Sequence, residues 1–466
     1  MPLHPDRLFP IEPDACAIAR RLYDGVSGLP ILSPHGHTDP RWYAEDEPFS
    51  DPADLFVKPD HYVFRMLYSQ GVSLESLGVP RRDGGPVETD GRAIWRLFAK
   101  HFGLFRGTPT RLWFEHSLAS VFRIEERLTE ANADRLYDQI AEALTGHDMR
   151  PRALYDRFNI EAIATTDGAL DDLAHHASLK RSGWRGRVLP TYRPDFVVDP
   201  EREGFRANVE RFVALAGEPM SWVGYLSAHR ARRAFFQSLG ATATDHGHPT
   251  ARTANLGAGE AAALFDRVIS PALSADDAEL FRAQMLTEFA RMSIEDGLVM
   301  QLHPGSVRNH NPAVFARFGT DKGADIPQRT DYVHDLKPLL DAFGNDPRLT
   351  LILFTLDETQ YGRELAPLAG HYPALRLGPP WWFYDSPEGM RRFREATTET
   401  AGFANTVGFN DDTRAYLSIP ARHDMARRVD CAYLARMVAD HRLDEDEAYD
   451  LAQDLAYRLA KRAYKL

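Results

Sequence analysis

Residues 29–39 have the sequence Leu-Pro-Ile-Leu-Ser-Pro-His-Gly-His-Thr-Asp, a short apolar run that ends in two histidines one residue apart. Because side chains alternate faces along a strand, His35 and His37 are expected to project to the same side. Two imidazoles at the end of a strand can share one divalent cation at about 2.0–2.1 Å, and Gly36 between them is expected to leave room for the ion. The run predicts half of a metal site, and the competing interpretation is a histidine pair exposed in a loop.

Similar short apolar runs, each ending at polar residues, recur along the chain between segments of helical periodicity. They cover residues 160–167, 187–195, 240–246, 298–303, 349–357 and 407–414, with 374–382 as a candidate eighth. Strands that alternate with helices predict a parallel sheet, and about eight such units predict a closed (β/α)₈ barrel. A doubly wound open sheet is the competing fold, but we find no Gly-x-Gly-x-x-Gly turn or Walker loop to support it.

The region between the first two runs has a different pattern. From residue 89 to residue 158 the apolar spacing is three to four, which predicts helices. We therefore expect an α/β protein, a distorted (β/α)₈ TIM-type barrel with a helical insertion after strand one. The predicted segments are 1–40 (N-terminal helix and first barrel strand), 41–158 (helical insertion) and 159–466 (remainder of the catalytic barrel and C-terminal helices).

The composition limits which kinds of partner the protein can bind and which cellular compartment it suits. The chain has 466 residues with Lys+Arg 55 and Asp+Glu 67, a net charge of −12, and no clustered basic stripe, which argues against nucleic acid. An anionic small substrate is still permitted, since a few arginines in a pocket decide that locally. The two cysteines, Cys16 and Cys431, indicate a reducing compartment, and no stretch resembles a signal or membrane span. We expect a cytoplasmic protein with no membrane partner, and a homo-oligomer is compatible with the sequence.

The residues that end the runs are mostly metal-binding or ionisable types, and in a barrel they would all face one rim. Any one of them could be a solvated loop residue, but together they predict an active site. They are His35, His37, Asp167, Arg193, Asp245, His246, His303, Asp412 and Arg414.

Roles can be assigned to several of these residues from their chemistry. Asp412, on the last strand and so beside the first in a closed barrel, can add an oxygen ligand to the histidine pair and act as a base. Arg193 and Arg414 suit an anionic substrate because guanidinium binds carboxylate in bidentate fashion. The competing interpretation of Arg414 is a salt bridge to Asp411.

Three further residues have two interpretations each. Tyr62 could donate a hydrogen bond into the pocket from the insertion, or it could be a core tyrosine. His303 could be a further metal ligand or a hydrogen-bond donor to substrate, or a rim histidine satisfied by its neighbours. Trp381, next to Trp382, could supply an apolar face for a sugar, or both tryptophans could serve packing.

The order and spacing of these motifs resemble the uronate isomerase (glucuronate isomerase) family of the amidohydrolase superfamily, from about Ala15 to the C-terminal helices. Individually several are weak, but together they are highly specific. They are His35-Gly-His37, Asp60-His-Tyr62-x-x-Arg65, Thr165-Thr-Asp167, Tyr192-Arg193-Pro-Asp195, Thr244-Asp245-His246-Gly247, Met300-Gln-Leu-His303-x-Gly-x-x-Arg308-Asn309, Gly378-Pro-x-Trp381-Trp382-Phe383, Asp412-Thr-Arg414 and Arg422-His423.

The resemblance implies an aldose-ketose isomerase that interconverts D-glucuronate with D-fructuronate and D-galacturonate with D-tagaturonate. It implies one zinc or similar divalent ion held by His35, His37 and Asp412. Asp412, Tyr62 and Arg414 would be catalytic, and the expected substrate-binding residues are His61, Arg193, Asp245, His303 and Trp381. The chain departs from the family pattern at Gly168-Ala169, where Asp-Pro is usual, at Phe64, where Trp is usual, and at Asp411-Asp412-Thr413-Arg414, where Thr-Asp-Ser-Arg is usual.

The expected chemistry moves a proton between C2 and C1 through an enediol, which requires a base over C2 and stabilisation of charge on the carbonyl oxygen. A hydride shift is the alternative route. The alternative function is a mononuclear metal-dependent hydrolase of the same superfamily. Binuclear members usually bridge their ions with a lysine from a middle strand, and the chain has Arg193 at that place, which favours a single ion.

Overall fold

The computed structural model describes residues 3–466, so that only residues 1–2 of the first predicted segment lie outside it. The strands of the barrel coincide with the apolar runs of the sequence and are buried along most of their length, as strands covered on both faces are, whereas β8 and β9 lie outside these runs and are partly exposed. In chain order they are Ile31–Ser33 (β1), Ile160–Ala164 (β2), Asp167–Gly168 (β3), Val188–Leu189 (β4), Tyr192–Arg193 (β5), Ala243–His246 (β6), Val299–Leu302 (β7), Ser306–Val307 (β8), Ile326–Pro327 (β9), Leu351–Leu353 (β10) and Leu375–Leu377 (β11).

Two parallel sheets, ordered β1-β2-β4 and β11-β10-β7-β6-β5-β3, make up the barrel, and β8 and β9 form a separate antiparallel pair. The two sheets are continuous. β2 and β3 come from one apolar run, β4 and β5 come from the next, and in each run the first strand belongs to one sheet and the second strand to the other. Between these ends, Thr191 N–H donates to the Thr165 carbonyl at 3.0 Å. The predicted α/β barrel is therefore confirmed, with distortion where these two runs each divide into two short strands.

The last run closes the ring. Thr406 pairs with Leu377 in a parallel bridge. Asp412 N–H then donates to the His35 carbonyl at 3.3 Å, and His37 N–H to the Thr413 carbonyl at 3.1 Å. Within the described residues, 407–414 has no regular strand, although the sequence predicts one there. The irregular backbone leaves these polar residues beside the first histidines.

Helices connect the strands as predicted, and the first lies in the segment 1–40, where an N-terminal helix was expected, with Pro13 at its start. They are Pro13–Val26 (α1), Pro40–Glu45 (α2), Pro52–Phe56 (α3), His61–Tyr68 (α4), Gly91–His101 (α5), Pro109–Phe122 (α6), Ala133–Leu144 (α7), Pro151–Arg157 (α8), Ala174–Ser182 (α9), Asp195–Val198 (α10), Phe205–Leu215 (α11), Trp222–Ser238 (α12), Ala258–Val268 (α13), Ala275–Asp296 (α14), Pro312–Phe318 (α15), Tyr332–Asp335 (α16), Lys337–Phe343 (α17), Ala366–Ala369 (α18), Pro387–Ala401 (α19), Ile419–Ala439 (α20), Glu445–Gln453 (α21) and Leu459–Ala463 (α22). None of these helices is long and apolar enough to cross a membrane, in the part of the chain that the structure describes.

The segment between β1 and β2 contains α2 to α8 and packs directly on the barrel. Trp95 of α5 and Phe114 of α6 belong to the same hydrophobic cluster as Ile31 of β1 and Ile160 of β2. Asp60 caps α4 by accepting a hydrogen bond from Tyr62 N–H at 2.8 Å. This capped helix begins with His61 and Tyr62 at the rim of the barrel. The division into three segments stays a prediction.

Polar side chains from three parts of the chain meet inside the barrel. Asn410 Nδ2 donates to the Tyr464 hydroxyl at 2.7 Å, and that hydroxyl donates to Gln301 Oε1 at 3.0 Å. Tyr464 is fully buried. The C-terminal segment therefore covers the amino-terminal end of the strands, and the functional cavity lies at the opposite end.

Candidate active site at the carboxyl ends of the strands

A cavity of about 1020 Å³ lies at the carboxyl ends of the strands. In barrel enzymes this end carries the chemistry, because the loops after the strands supply side chains from many parts of the sequence. The residues assigned a metal, catalytic or substrate role all line it: His35, His37, His61, Tyr62, Arg193, Asp245, His303, Trp381, Asp412 and Arg414. His246, which the sequence also placed at the rim, is fully buried and packs on Phe289, with ring centroids 4.6 Å apart.

His35, His37 and Asp412 come together as the sequence predicts. Asp412 Oδ1 lies 3.4 Å from His35 Nε2 and 3.1 Å from His37 Nε2. Burial alone would raise the pKa of Asp412, but His35 and His37 outweigh burial and hold it well below its ordinary value. The carboxylate is therefore ionised.

The backbone around these residues sets their directions. A side chain at Gly36 would point toward the Ala164 carbonyl, Ser33 Oγ and Asp411, since alternate residues face opposite sides. The distances to these atoms, 3.4–3.6 Å, are ordinary contacts, and the expectation that Gly36 makes room for the ion stays a prediction. Asp412 has a φ of +42°, a left-handed conformation that aspartate tolerates better than most residues. Such strained positions concentrate at functional sites.

His303 belongs to the same cluster and is held in one orientation by a buried carboxylate. His303 Nδ1 lies 2.6 Å from Asp245 Oδ1, so Nδ1 carries the proton and Nε2 is left as an acceptor. Nε2 is buried and has no hydrogen-bond partner among residues 3–466. His35, His303 and Asp412 have potential ligand atoms within 4.8 Å of one another. Predicted donation from His303 to substrate therefore does not fit this tautomer, whereas accepting a proton or binding a metal does.

Arg193 pairs with two aspartates of the rim. Its Nε donates to Asp195 Oδ2 at 2.9 Å, and its NH1 group lies 3.1 Å from Asp245 Oδ2. Burial would raise the pKa of Asp245, but Arg193 and then His303 hold it well below the ordinary range. Arg193 thus fixes Asp245, which fixes His303. If Arg193 pairs with a substrate carboxylate, as the sequence predicts, that carboxylate must share the guanidinium group with Asp195 and Asp245.

Arg414 faces the cavity beside Asp321, which lies 3.4 Å from its NH2 group. The competing salt bridge from Arg414 to Asp411 is wrong. Asp411 lies instead beneath the rim with His423 Nε2, 3.0 Å from its Oδ2 atom. Arg414 is about one-third exposed and so remains available to a ligand.

Tyr62 and its neighbours form one wall of the cavity. The Tyr62 hydroxyl is 2.9 Å from both the Trp382 carbonyl and Asp385 Oδ2, so its single proton is already engaged. Donation from Tyr62 to substrate stays a prediction. His61 packs on the Trp382 ring with centroids 4.3 Å apart, and Trp381 meets the His303 ring edge-on at 4.9 Å. Both tryptophans therefore border the cavity, and Trp382 also packs against His61.

Sequence reasoning gave no role to three cavity residues. Arg308 had appeared only as part of a motif, and it lies 3.0 Å from Asp325 Oδ2. A side chain at Gly247 would meet both Arg193 and Arg308, so the two guanidinium groups converge there. Asp321 lies in a loop without a periodic signal. Asp167 was placed at the rim because it ends the second run, but the sequence suggested no role for it.

The chain matches known proteins over its whole length. A family model for glucuronate isomerase matches residues 14–464. A uronate isomerase of Brucella canis is 70% identical over 466 residues, covering 100% of both chains. The crystal structure of glucuronate isomerase from Caulobacter crescentus has a TM-score of 0.98 at 60% identity, covering 99% of this chain and 97% of that one. The uronate isomerase structure from Thermotoga maritima has a TM-score of 0.92 at 29% identity, covering 100% of each chain.

Proposed function

The chain belongs to the glucuronate isomerase (uronate isomerase) family, and from this premise we propose that it interconverts D-glucuronate with D-fructuronate and D-galacturonate with D-tagaturonate. The observation that carries the site assignment is the ionised Asp412 carboxylate, 14% exposed and 3.1–3.4 Å from two histidine nitrogens in the same cavity as His303 and Arg414. This arrangement offers a fixed base and an adjacent cation at the end of the barrel. The cytoplasmic location and the homo-oligomeric state stay predictions.

We propose that His35, His37 and Asp412 hold one divalent ion, with zinc the expected identity. The carboxylate is spaced for both histidines: ligands at about 2.0–2.2 Å in tetrahedral geometry lie roughly 3.3–3.6 Å apart, close to the nitrogen–oxygen separations of 3.4 and 3.1 Å. His303 rather than His37 completes the group whose ligand atoms all lie within 4.8 Å of one another, so the metal content of His303→Ala decides between the two histidines. When bound, such an ion polarises the substrate carbonyl oxygen and acidifies the neighbouring C–H group. His303 Nε2 is assigned to the substrate side of this cluster.

The proton transfers can be assigned to two side chains. Asp412 takes the proton from C2 of the open-chain aldose and returns it to C1, which forms and then consumes the enediol. His303 Nε2, the unprotonated nitrogen, accepts the proton of the O2 hydroxyl and delivers it to O1. Asp245 supports the positive charge that His303 carries between these two transfers, as a buried carboxylate does for a catalytic imidazole.

Two guanidinium groups are assigned to the carboxylate that distinguishes a uronate from a neutral sugar. Arg193 and Arg308 converge at Gly247, and Arg308 has one carboxylate partner, Asp325, at 3.0 Å. Charge-assisted bidentate pairs of this kind are about twice as strong as neutral hydrogen bonds. Arg414 is left for the hydroxyl and carbonyl oxygens near Asp412.

The test is to incubate the purified protein with D-glucuronate and to measure formation of the ketose by NMR. We expect D-fructuronate to accumulate until equilibrium with wild type, and Asp412→Asn to reduce the rate by orders of magnitude while substrate binding is largely kept. D-glucose, the neutral analogue, should not react. Failure of wild type to form any ketose from either uronate would refute the proposal.

The alternative of a mononuclear hydrolase is not favoured, because the relatives that match over the whole chain are uronate isomerases. A hydrolase would also release a second product from an amide, lactone or ester. An isomerase yields one product with the mass of its substrate, so mass spectrometry of the reaction separates the two functions.

A further inference from the structure

Asp167 is an acidic residue of the cavity that the isomerisation steps leave without a role. It lies at the end of the second run of the barrel, is 7% exposed and lines the cavity. The preceding residue fixes its position relative to the metal-binding histidines, since Thr166 Oγ1 donates to the Gly36 carbonyl at 2.9 Å. Asp167 therefore directly follows, in sequence, a residue that is hydrogen-bonded to the His35-Gly36-His37 turn.

The Asp167 carboxyl group is held by neutral partners. Thr165 Oγ1 donates to Asp167 Oδ2 at 2.7 Å and is 2.9 Å from His176 Nε2. His176 is itself buried, and burial lowers its pKa to about 4, so this neighbour is neutral at pH 7. His176 Nε2 also lies 3.9 Å from Asp167 Oδ2, but this neutral imidazole stabilises a carboxylate less than the Arg193 guanidinium beside Asp245 does.

These surroundings favour a carboxyl group that can both give and accept a proton near neutral pH. Burial raises the pKa of Asp167 to about 7, against an ordinary value of 3.8, and the negative charges of Asp171 and Asp39 act in the same direction. A general acid or base is most effective when its pKa is close to the working pH. The other cavity carboxylates, Asp245 and Asp412, have lowered pKa values and are ionised at rest, so neither holds a proton that it could give to the ring oxygen before isomerisation begins.

The cavity is open next to Gly168, the residue that follows Asp167. A side chain added at Gly168, the next residue, would meet no atom within 4 Å, and Gly168 also lines the cavity. Gly168 is aligned with Arg193 in the neighbouring strand, one of the groups assigned to the substrate carboxylate. Side chains alternate along the strand, so Arg193 shares a face with Gly168 rather than with Asp167, but all three residues line the same cavity, and a sugar held by Arg193 at the strand ends lies within that cavity with Asp167.

A uronate needs one chemical step before it can isomerise. In water, hexuronates are mainly cyclic hemiacetals, whereas the transfer from C2 to C1 acts on the open-chain aldehyde. Opening the ring requires a proton on the ring oxygen O5 and removal of the proton from O1. Both are proton transfers that a single neutral carboxyl group can perform.

We propose that Asp167 is the acid-base residue that opens the hemiacetal ring of the bound uronate; this inference rests on the proposed function. The neutral carboxyl donates its proton to O5 as the C1–O5 bond breaks and the bonding electron pair passes to O5. The carboxylate that remains accepts the O1 proton, which leaves the C1 aldehyde and restores the acid. The step is balanced, with no net change in protons and no oxidant or reductant.

The experiment uses 2-deoxy-D-glucuronate, which closes its ring normally but lacks O2 and so cannot isomerise to a ketose. Exchange between its two anomers, measured by NMR, reports ring opening alone. We expect wild-type protein to accelerate this exchange at least tenfold over buffer, and Asp167→Asn to abolish the acceleration. Asp172→Asn is the matched control: Asp172 is exposed, caps a helix through Oδ1 and lies five residues away, so this variant should behave as wild type.

A second measurement excludes a purely structural role for Asp167. With D-glucuronate, ketose formation by Asp167→Asn should reach a ceiling as enzyme is added, set by spontaneous ring opening, whereas the wild-type rate should rise in proportion to enzyme. The inference is overturned if wild type does not accelerate anomer exchange, if Asp167→Asn accelerates it as well as wild type, or if the Asp167→Asn rate rises without a ceiling. Absence of ketose with wild type would instead refute the proposed function, since anomer exchange does not depend on isomerisation.

Discussion

Replacement of Asp245 by asparagine tests the chain of contacts that orients His303. Asp245 is fully buried and lies 2.6 Å from His303 Nδ1 and 3.1 Å from the Arg193 guanidinium. Asparagine keeps the volume but removes the charge, and its amide group can present either a donor or an acceptor to Nδ1. We expect the His303 tautomer to become mixed, so that Nε2 often carries the proton and can no longer accept one.

The cost in stability follows from the partners that remain. Removing one member of a buried ion pair costs about 3–5 kcal/mol. Arg193 keeps Asp195 at 2.9 Å and is 20% exposed, which places Asp245→Asn below this range, at about 2–3 kcal/mol. With an unfolding entropy of about 2.1 cal/mol/K per residue, a 466-residue chain should lose about 2–3 °C in melting temperature.

The cost in activity should be much larger. General acid-base catalysis contributes about 10²–10⁴-fold, and most of this should be lost at His303. Steady-state kinetics on D-glucuronate and a thermal melt measure the two effects. Asp195→Asn is the matched control, because it removes the other partner of Arg193 without touching His303, and it should lose similar stability but much less activity. A kcat/KM for Asp245→Asn within tenfold of wild type would refute the assigned role of His303.

Three other predictions concern the metal, the anion site and pH. Replacing His35 and His37 together by alanine should lower the metal content, measured by elemental analysis after dialysis, from about one ion per chain. The control variant His303→Ala should keep the ion. Loss of the ion from His303→Ala would show that His303 is a ligand. Arg308→Met should lower kcat/KM on D-glucuronate by about 2–5 kcal/mol of transition-state stabilisation with an unchanged melting temperature, and a loss below tenfold would remove Arg308 from the carboxylate site. Asp167, with a pKa raised from 3.8 to about 7, should reduce wild-type stability progressively as pH rises from about 4 to about 7, by up to about 4 kcal/mol, because the unfolded chain ionises first. The groups around it are His176, Asp171, Asp39 and the adjacent Arg193, and denaturation at pH 5 and pH 8 should show a smaller pH dependence for Asp167→Asn than for wild type.

The sequence predicted the barrel because strand periodicity and strand length are local properties. The runs at 160–167 and 298–303 became β2, β3 and β7 almost residue for residue. The convergence of His35 with Asp412 followed from topology alone, since the first and last strands of a closed barrel are neighbours. These inferences needed no knowledge of side-chain distances.

Side-chain pairing in the rim could not be predicted in this way. Arg193 has two internal aspartate partners, and the Tyr62 hydroxyl is engaged with Asp385, because loops far apart in sequence bring these groups together. Asp321, beside Arg414, lies in a loop whose conformation leaves no periodic pattern in the sequence. Topology determines which strand ends meet, but loop geometry determines which of their charges are already paired.

Turnover of D-glucuronate by the purified protein in deuterated water, followed by NMR, tests the central claim most directly. Proton transfer through Asp412 predicts D-fructuronate with deuterium at C1, since a carboxylic acid proton exchanges with solvent during the lifetime of the enediol. Ketose with only protium at C1 would still show isomerase activity. It would mean that the hydrogen moves by a hydride shift, or that Asp412 returns the same proton without exchange with solvent. D-glucuronate that remains unchanged, in protein shown to contain its metal, would contradict the account.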